Sequence, residues 1–147
     1  MRAYSFLDTQ ASISGPGAVN LQLGAGSGNS EEGVTVAPAE DKNVMTTGAD
    51  GQAMHTLVAA TTGLLTFRFL KTSPINAKLQ AMYDLQSSSS RFWGQNVIVV
   101  TNTGLGDYHS GQACAFKKKP EIVYDKAGAM IEWQFDVQSL VSVLGAS

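Results

Sequence analysis

Few residues in this chain are placed to do bond-making chemistry. His55 and His109 are its two histidines, and their spacing matches no paired-ligand motif such as HExxH. The single cysteine, Cys114, sits in the apolar stretch QACAF. There it reads as a buried, inert thiol, because a nucleophilic thiolate needs an accessible, electropositive setting. No GxSxG elbow is present. The carboxylates are scattered or lie in loops, so no paired acid/base site can be assembled. The glycine-rich run Gly24–Ser30 (GAGSGNS) has the composition of a phosphate loop. No P-loop lysine follows it, and Glu31-Glu32-Gly33 is acidic and broken where a helix should begin, so it reads as a connecting loop. Lys117-Lys118-Lys119 is the one basic cluster. It reads as a solvated strand end of the kind that discourages edge pairing, with contact to phosphate or an acidic partner as the functional alternative. These residues call for no cofactor and no metal.

The elements around them are better defined. Leu65, Phe67 and Phe69 alternate with Leu64, Thr66, Arg68 and Leu70, which predicts a strand covered on both faces and central in its sheet. Ser73 suits an N-cap and Pro74 a first helical position. Ile75, Leu79, Met82 and Tyr83 then recur at helical spacing, predicting a helix over Pro74–Gln86 with Asn76, Lys78, Gln80 and Asp84 outward. Tyr4–Ser14 and Val19–Leu23 alternate around Gly15-Pro16-Gly17 and predict a hairpin. Asn96–Asn102 (NVIVVTN) is a β-branched run typical of a buried strand. Tyr108–Lys118 reads as extended. Ile122–Tyr124 and Met130–Val137 flank a turn and read as a further hairpin, and Leu140, Val141 and Leu144 predict a docked tail.

Gly33–Thr47 contains two extended pieces around Pro38-Ala39-Glu40-Asp41. It predicts a projecting hairpin at about 33–47 that is poor in large apolar residues and needs a neighbour. Its candidate contact residues are Val34, Val36, Pro38, Lys42, Val44 and Met45. A further short strand is predicted over Gln52–Leu57. The expected fold is mainly antiparallel β, a sandwich or partly open barrel of nine or ten strands with one helix.

Size and charge bound the function. The chain has 147 residues, which suits one domain. Charged residues make up 15%, against about 25% in ordinary domains, and so leave a largely neutral surface suited to subunit contacts. The net charge of −2 argues against a dedicated nucleic-acid binder. No apolar run spans a membrane, and the start, MRAYSFLDTQ, lacks a secretory apolar region.

Taken in order, YSFLDTQASISGPG, EEGVTV, EDKNVMTTGADGQAMH, LKTSPINAKLQAMYDLQ, WGQNVIVVTN and AFKKKPEIVYDKAG resemble the tail tube (inner tube) proteins of contractile-tailed bacteriophages. The resemblance implies a non-catalytic virion protein, a β subunit with one helix whose strands complete a barrel shared around a ring. It implies homo-hexameric rings stacked into a hollow tube that conducts double-stranded DNA without specific binding. The partners implied are the tail sheath, the baseplate and the tail terminator, with assembly in the host cytoplasm and residence in the virion tail. On that reading the helix lies away from the channel. Some of the acids Glu31, Glu32, Glu40, Asp41 and Asp50 face the lumen or the seams between rings, where negative charge repels the duplex, and the lysine cluster lies outside or is paired with acids. Two other classes fit the residues: a non-catalytic β-sandwich binding module, and a small enzyme on a β-barrel scaffold. The first calls for exposed aromatics on loops, whereas most of the aromatics here lie within predicted strands, and the second lacks a convergent polar site.

Overall fold

In the computed structural model the described residues are 3–24, 29–128 and 130–145, and of residues 29–32 only the backbone is described. A 3-10 turn, Phe6–Asp8, leads into β1 (Thr9–Gly15) and β2 (Ala18–Gln22). Then come β3 (Asn29–Pro38), β4 (Asn43–Thr47), β5 (Ala53–Leu57) and β6 (Gly63–Leu70). Helix α1 (Ile75–Ser87) precedes β7 (Asn96–Asn102), β8 (Asp107–Phe116) and β9 (Met130–Val143). Seven strands form one antiparallel sheet in the order β2-β1-β7-β8-β9-β6-β3, and β4 and β5 form a separate ribbon. The architecture is thus mainly β with one α-helix among the described residues, as the alternation predicts. The sheet does not close into a barrel. It curls until β3 faces β7 across a cleft of about 350 Å³ lined by Val34, Val36, Val100 and Phe6.

The core lies on the inner face of this sheet. Leu65, Phe67 and Phe69 of β6 pair with Phe135, Trp133 and Ile131 of β9, and all six are buried. Ala11 and Ile13 of β1 pair with Val100 and Ile98 of β7 and continue the layer. Phe116 joins the two groups, with its ring centroid 4.7 Å from Phe135 and 5.8 Å from Trp133. Each such side chain stabilises the fold by about 1.5–3 kcal/mol on burial, before entropy is counted.

Helix α1 covers that inner face with Ile75, Leu79 and Met82, all buried. Its start follows the predicted chemistry, shifted by one residue: Ser73 Oγ accepts from the Ile75 N–H at 3.3 Å, and Pro74 precedes the first turn at φ −66°. Its end is fixed by a pair that the apolar pattern does not reveal. Gln86 is fully buried, and its amide exchanges two hydrogen bonds of 2.8 Å with the amide of Asn96. Gln86 Nε2 also donates to Pro16 O, and Asn96 Nδ2 to Cys114 O, so the buried amides are well supplied with partners. Gly15 makes room for this pair, since a Cβ there would collide with Asn96 Oδ1. Asn76, expected outward, instead accepts from Trp133 Nε1 at 3.1 Å and donates to Leu70 O.

Five expectations are corrected. β6 is next to the sheet's edge rather than central, because only β3 lies beyond it. Its second face is covered in part: Thr66 is buried while Leu70 is exposed. The residues at 33–47 do not pair with one another. Val34, Val36 and Pro38 lie on β3 and pair with Phe67, Leu65 and Gly63 of β6, whereas Val44 and Met45 lie on β4 and pair with Thr56 and His55 of β5. The projecting hairpin is therefore residues 43–57, turning at Gly48–Gln52. Ile122–Tyr124 forms no strand: the chain passes this side of β9 as the continuation of β8, with the Lys117 N–H on Gln134 O, and over Met130–Gln134 the strand ladder of β9 is with β6 alone. The tail pairs with β8 through Val143, yet Val141, Val143 and Leu144 are exposed.

Leu79→Ala removes the middle of the helix stripe at a site with no solvent exposure. It should cost about 2–5 kcal/mol in denaturant unfolding. A loss under about 0.5 kcal/mol would show that the helix does not carry the inner face.

Candidate assembly surfaces

The polar and reactive side chains do not converge on one point. His55 lies on the β4–β5 hairpin and accepts from Asn43 Nδ2 at 3.2 Å. His109 lies on β8 and shares a 2.8 Å hydrogen bond with Ser142, its cross-strand partner on β9. Asp107 is occupied by the Gly145 N–H, which it accepts at 2.9 Å. Among the described residues no group of three His, Cys, Asp or Glu side chains is placed to hold a metal ion. None of the described helices is long and apolar enough to cross a membrane.

Cys114 is fully buried on β8, and burial pushes its thiol from 9.0 up to about 11, opposed in part by a backbone hydrogen bond at Ile98. The raised value means that the folded state favours the neutral thiol. Its contribution to stability is whole below about pH 9 and is lost as pH rises toward 11. Cys114 should therefore resist alkylation at pH 8 in the folded protein and react fully in denaturant. Equal rates in both states would show an accessible thiol.

The unusual surface is instead the hairpin. Every residue from Ala39 to Leu57 is exposed, including Val44, Met45, Met54 and Leu57, with Leu57 at 80%. Lys42 Nζ donates to Ala60 O and the Val58 N–H to Lys42 O, which ties the hairpin's base to the strand that follows. Of the candidate acids, Glu40 and Asp41 stand at this base and Asp50 in the tip turn, where its Oδ1 accepts from the Gln52 N–H. The side chains of Glu31 and Glu32 fall outside the described residues. Of the other hairpin candidates, Val34 and Val36 pack against the core from β3, and Pro38 is exposed at the strand's end.

The sheet has two further open features. Its end strands β2 and β3 each have one neighbour. Its outer face carries Gln10, Ser12, Gln22, Val99 and Thr101 together around a shallow depression. This part of the face has neither lysine nor arginine. Farther along the sheet, Arg68 is held by Glu132 at 3.1 Å and donates to Thr35 Oγ1 at 3.0 Å.

Comparison with known proteins places this geometry. Among curated proteins no sequence matches. Two solved structures share the fold over nearly the whole chain. One is the sheath/tube terminator of the PVC extracellular contractile injection system, with a TM-score of 0.57 at 11% identity over 97% of this chain and 98% of that one. The other is the tube-terminating cap of the anti-feeding prophage, with a TM-score of 0.56 at 8% identity over 99% of this chain and 93% of that one. The model of one family, the bacteriophage PhiTE tail tube protein, matches residues 1–145. With that match running almost end to end, the chain belongs to the PhiTE tail tube family, the structural proteins of a bacteriophage tail.

Proposed function

We propose that this protein is the repeating subunit of a hollow tail tube, six copies to a ring and rings stacked along the tail. The whole-length family match carries this reading. The fold supports it in three ways. A sheet with two unpaired edges can be completed by neighbours, and a head-to-tail contact around a closing rotation gives a ring. The helix occupies the inner face of the sheet, which leaves the outer face to line a channel. The exposed hairpin supplies contacts outside the subunit.

The outer face also suits a conduit for duplex DNA. Neutral amides and hydroxyls such as Gln10, Gln22 and Thr101 offer no cations to replace the counterions of phosphate, and such replacement is what holds proteins to DNA. Glu40, Asp41 and Asp50 then belong to seams between subunits rather than to the channel wall. In the assembled tail the tube would meet sheath, baseplate and terminator, after assembly in the host cytoplasm. No catalytic step and no cofactor enter this function. A tube terminator is the second reading, favoured by the likeness of fold to a terminator and a cap.

Negative-stain microscopy of the purified protein separates the two. Stacked tubes of extended length are expected, single rings would favour the terminator, and a monomer at high concentration would overturn both. Purified tubes should also fail to retain duplex DNA in about 0.15 M salt, where charges are screened beyond about 8 Å. Tight retention there would contradict a neutral channel.

A further inference from the structure

β6 gives the subunit an axis with two different ends. At its Gly63 end, Pro38 pairs with Gly63 and the Ala39 N–H donates to Thr62 O, so the β4–β5 hairpin leaves the body there. This end carries three carboxylates, Glu40, Asp41 and Asp50, against Lys42 alone. It also exposes Met45, Met54 and Leu57. At the other end, Leu70 pairs with Met130, and the loop 117–128 gathers beside it. Lys71 Nζ stands 4.4 Å from the centre of the Tyr124 ring, a contact between the loop and the end of β6. Apart from Pro120, every residue of this loop is exposed. It carries Lys117, Lys118, Lys119 and Lys126 against Glu121 and Asp125, and it exposes Ile122, Val123 and Tyr124. The two surfaces lie at opposite ends of one strand, roughly 23 Å apart by its rise per residue.

We propose that the hairpin of one copy docks on the lysine loop of the next copy, end to end along this axis. Each surface has what the other lacks. The acidic end faces a basic end, and apolar side chains stand beside the charges on both. A two-stranded ribbon has no core of its own, so Met45, Met54 and Leu57 gain cover only from a neighbour. Ile122, Val123 and Tyr124 are β-branched or aromatic, exposed, and belong to no strand of their own subunit. Because the two patches differ, the contact is heterologous and repeats without limit along the axis, which a stack requires. This inference rests on the tube reading and adds the surface that receives the hairpin. It also gives the lysine cluster a role between copies rather than toward DNA.

Cysteine pairing tests it on the full-length chain. Single variants Met45→Cys, Asp50→Cys and Met54→Cys are each mixed with Lys118→Cys, Ile122→Cys or Tyr124→Cys, assembled and oxidised. Native Cys114 is buried and leaves little background. At least one mixture should give a covalent dimer that neither variant gives alone, and the matching double variant should give a ladder. In parallel, a variant with Lys117, Lys118 and Lys119 all changed to glutamate should raise the concentration needed for assembly about tenfold or more, as like charges at an interface do. Changing Glu40, Asp41 and Asp50 to lysine in that same chain should recover most of the loss, with thermal unfolding unaltered throughout. Tubes that form with no cross-link in any mixture would overturn this contact and leave the tube reading standing. So would assembly indifferent to the charge reversal, a reversal that the exchanged acids do not rescue, or a change confined to DNA binding. A wild-type chain that never assembles would overturn both.

Discussion

The structure depends on β9 being paired on both sides at once. Its fourteen residues hold β6 through Met130–Val137 and β8 through Phe135–Val143, with the two ladders overlapping by three residues. Without it the β1-β2-β7-β8 group and the β3-β6 group would be separate small sheets, each with an uncovered apolar face. Its inward side chains, Ile131, Trp133, Phe135 and Val137, are where the aromatic rings of β6, β8 and α1 meet. Both ladders are antiparallel and joined across long stretches of sequence, so their closure entropy must be recovered by burial. The density of large side chains at this seam provides it.

That dependence explains what could be read from the residues and what could not. Local chemistry predicts the helix start at Ser73-Pro74, the Gly15–Gly17 turn and the alternation of Leu65, Phe67 and Phe69. Each is decided within a few residues. Pairing partners are not local. Val34–Ala37 has the same strand character whether it pairs with Asn43–Thr47 or with β6, and the choice falls to β6 because that ladder also places Val34 and Val36 against the core. Ile122–Tyr124 carries a strand signal as good as that of many real strands. It loses because the chain enters that side of β9 in the register of β8, with the Lys117 N–H on Gln134 O, rather than in that of a separate hairpin. The Gln86–Asn96 pair escapes any apolar template, since two amides that satisfy each other look like surface residues in a sequence.

The candidate site was legible only in outline. The residues give no chemistry at His55, His109 or Cys114, and the structure brings these three side chains to no common place. The hairpin's need for a neighbour follows from its composition, but its boundaries depend on which strands pair. Of the acids singled out, Glu40, Asp41 and Asp50 stand at one end of the subunit, away from the Gln10–Thr101 face. A net charge cannot show that separation. The position of Lys117–Lys119 follows from the same long-range pairing, because Lys117 donates its N–H to Gln134 O and directs the following loop along β9 toward Met130.

What remains exposed after folding is an argument about the functional state. A monomeric domain of this size has enough apolar residues to fill its core and leaves scattered ones outside. Here some lie singly, such as Leu7 and Val19, while Val44, Met45, Met54 and Leu57 gather on the β4–β5 ribbon and Ile122, Val123 and Tyr124 on the loop 117–128, toward the two ends of β6. The core proper is complete without them, with β6, β7, β9 and α1 contributing fully buried side chains. On the proposed stacking, folding and assembly draw on different residues, and a lesion in one set need not damage the other. A subunit that must fold first and stack afterwards gains from that division. Its core fixes the ends of the strand, and in the proposed stack those ends carry the surfaces that meet another copy.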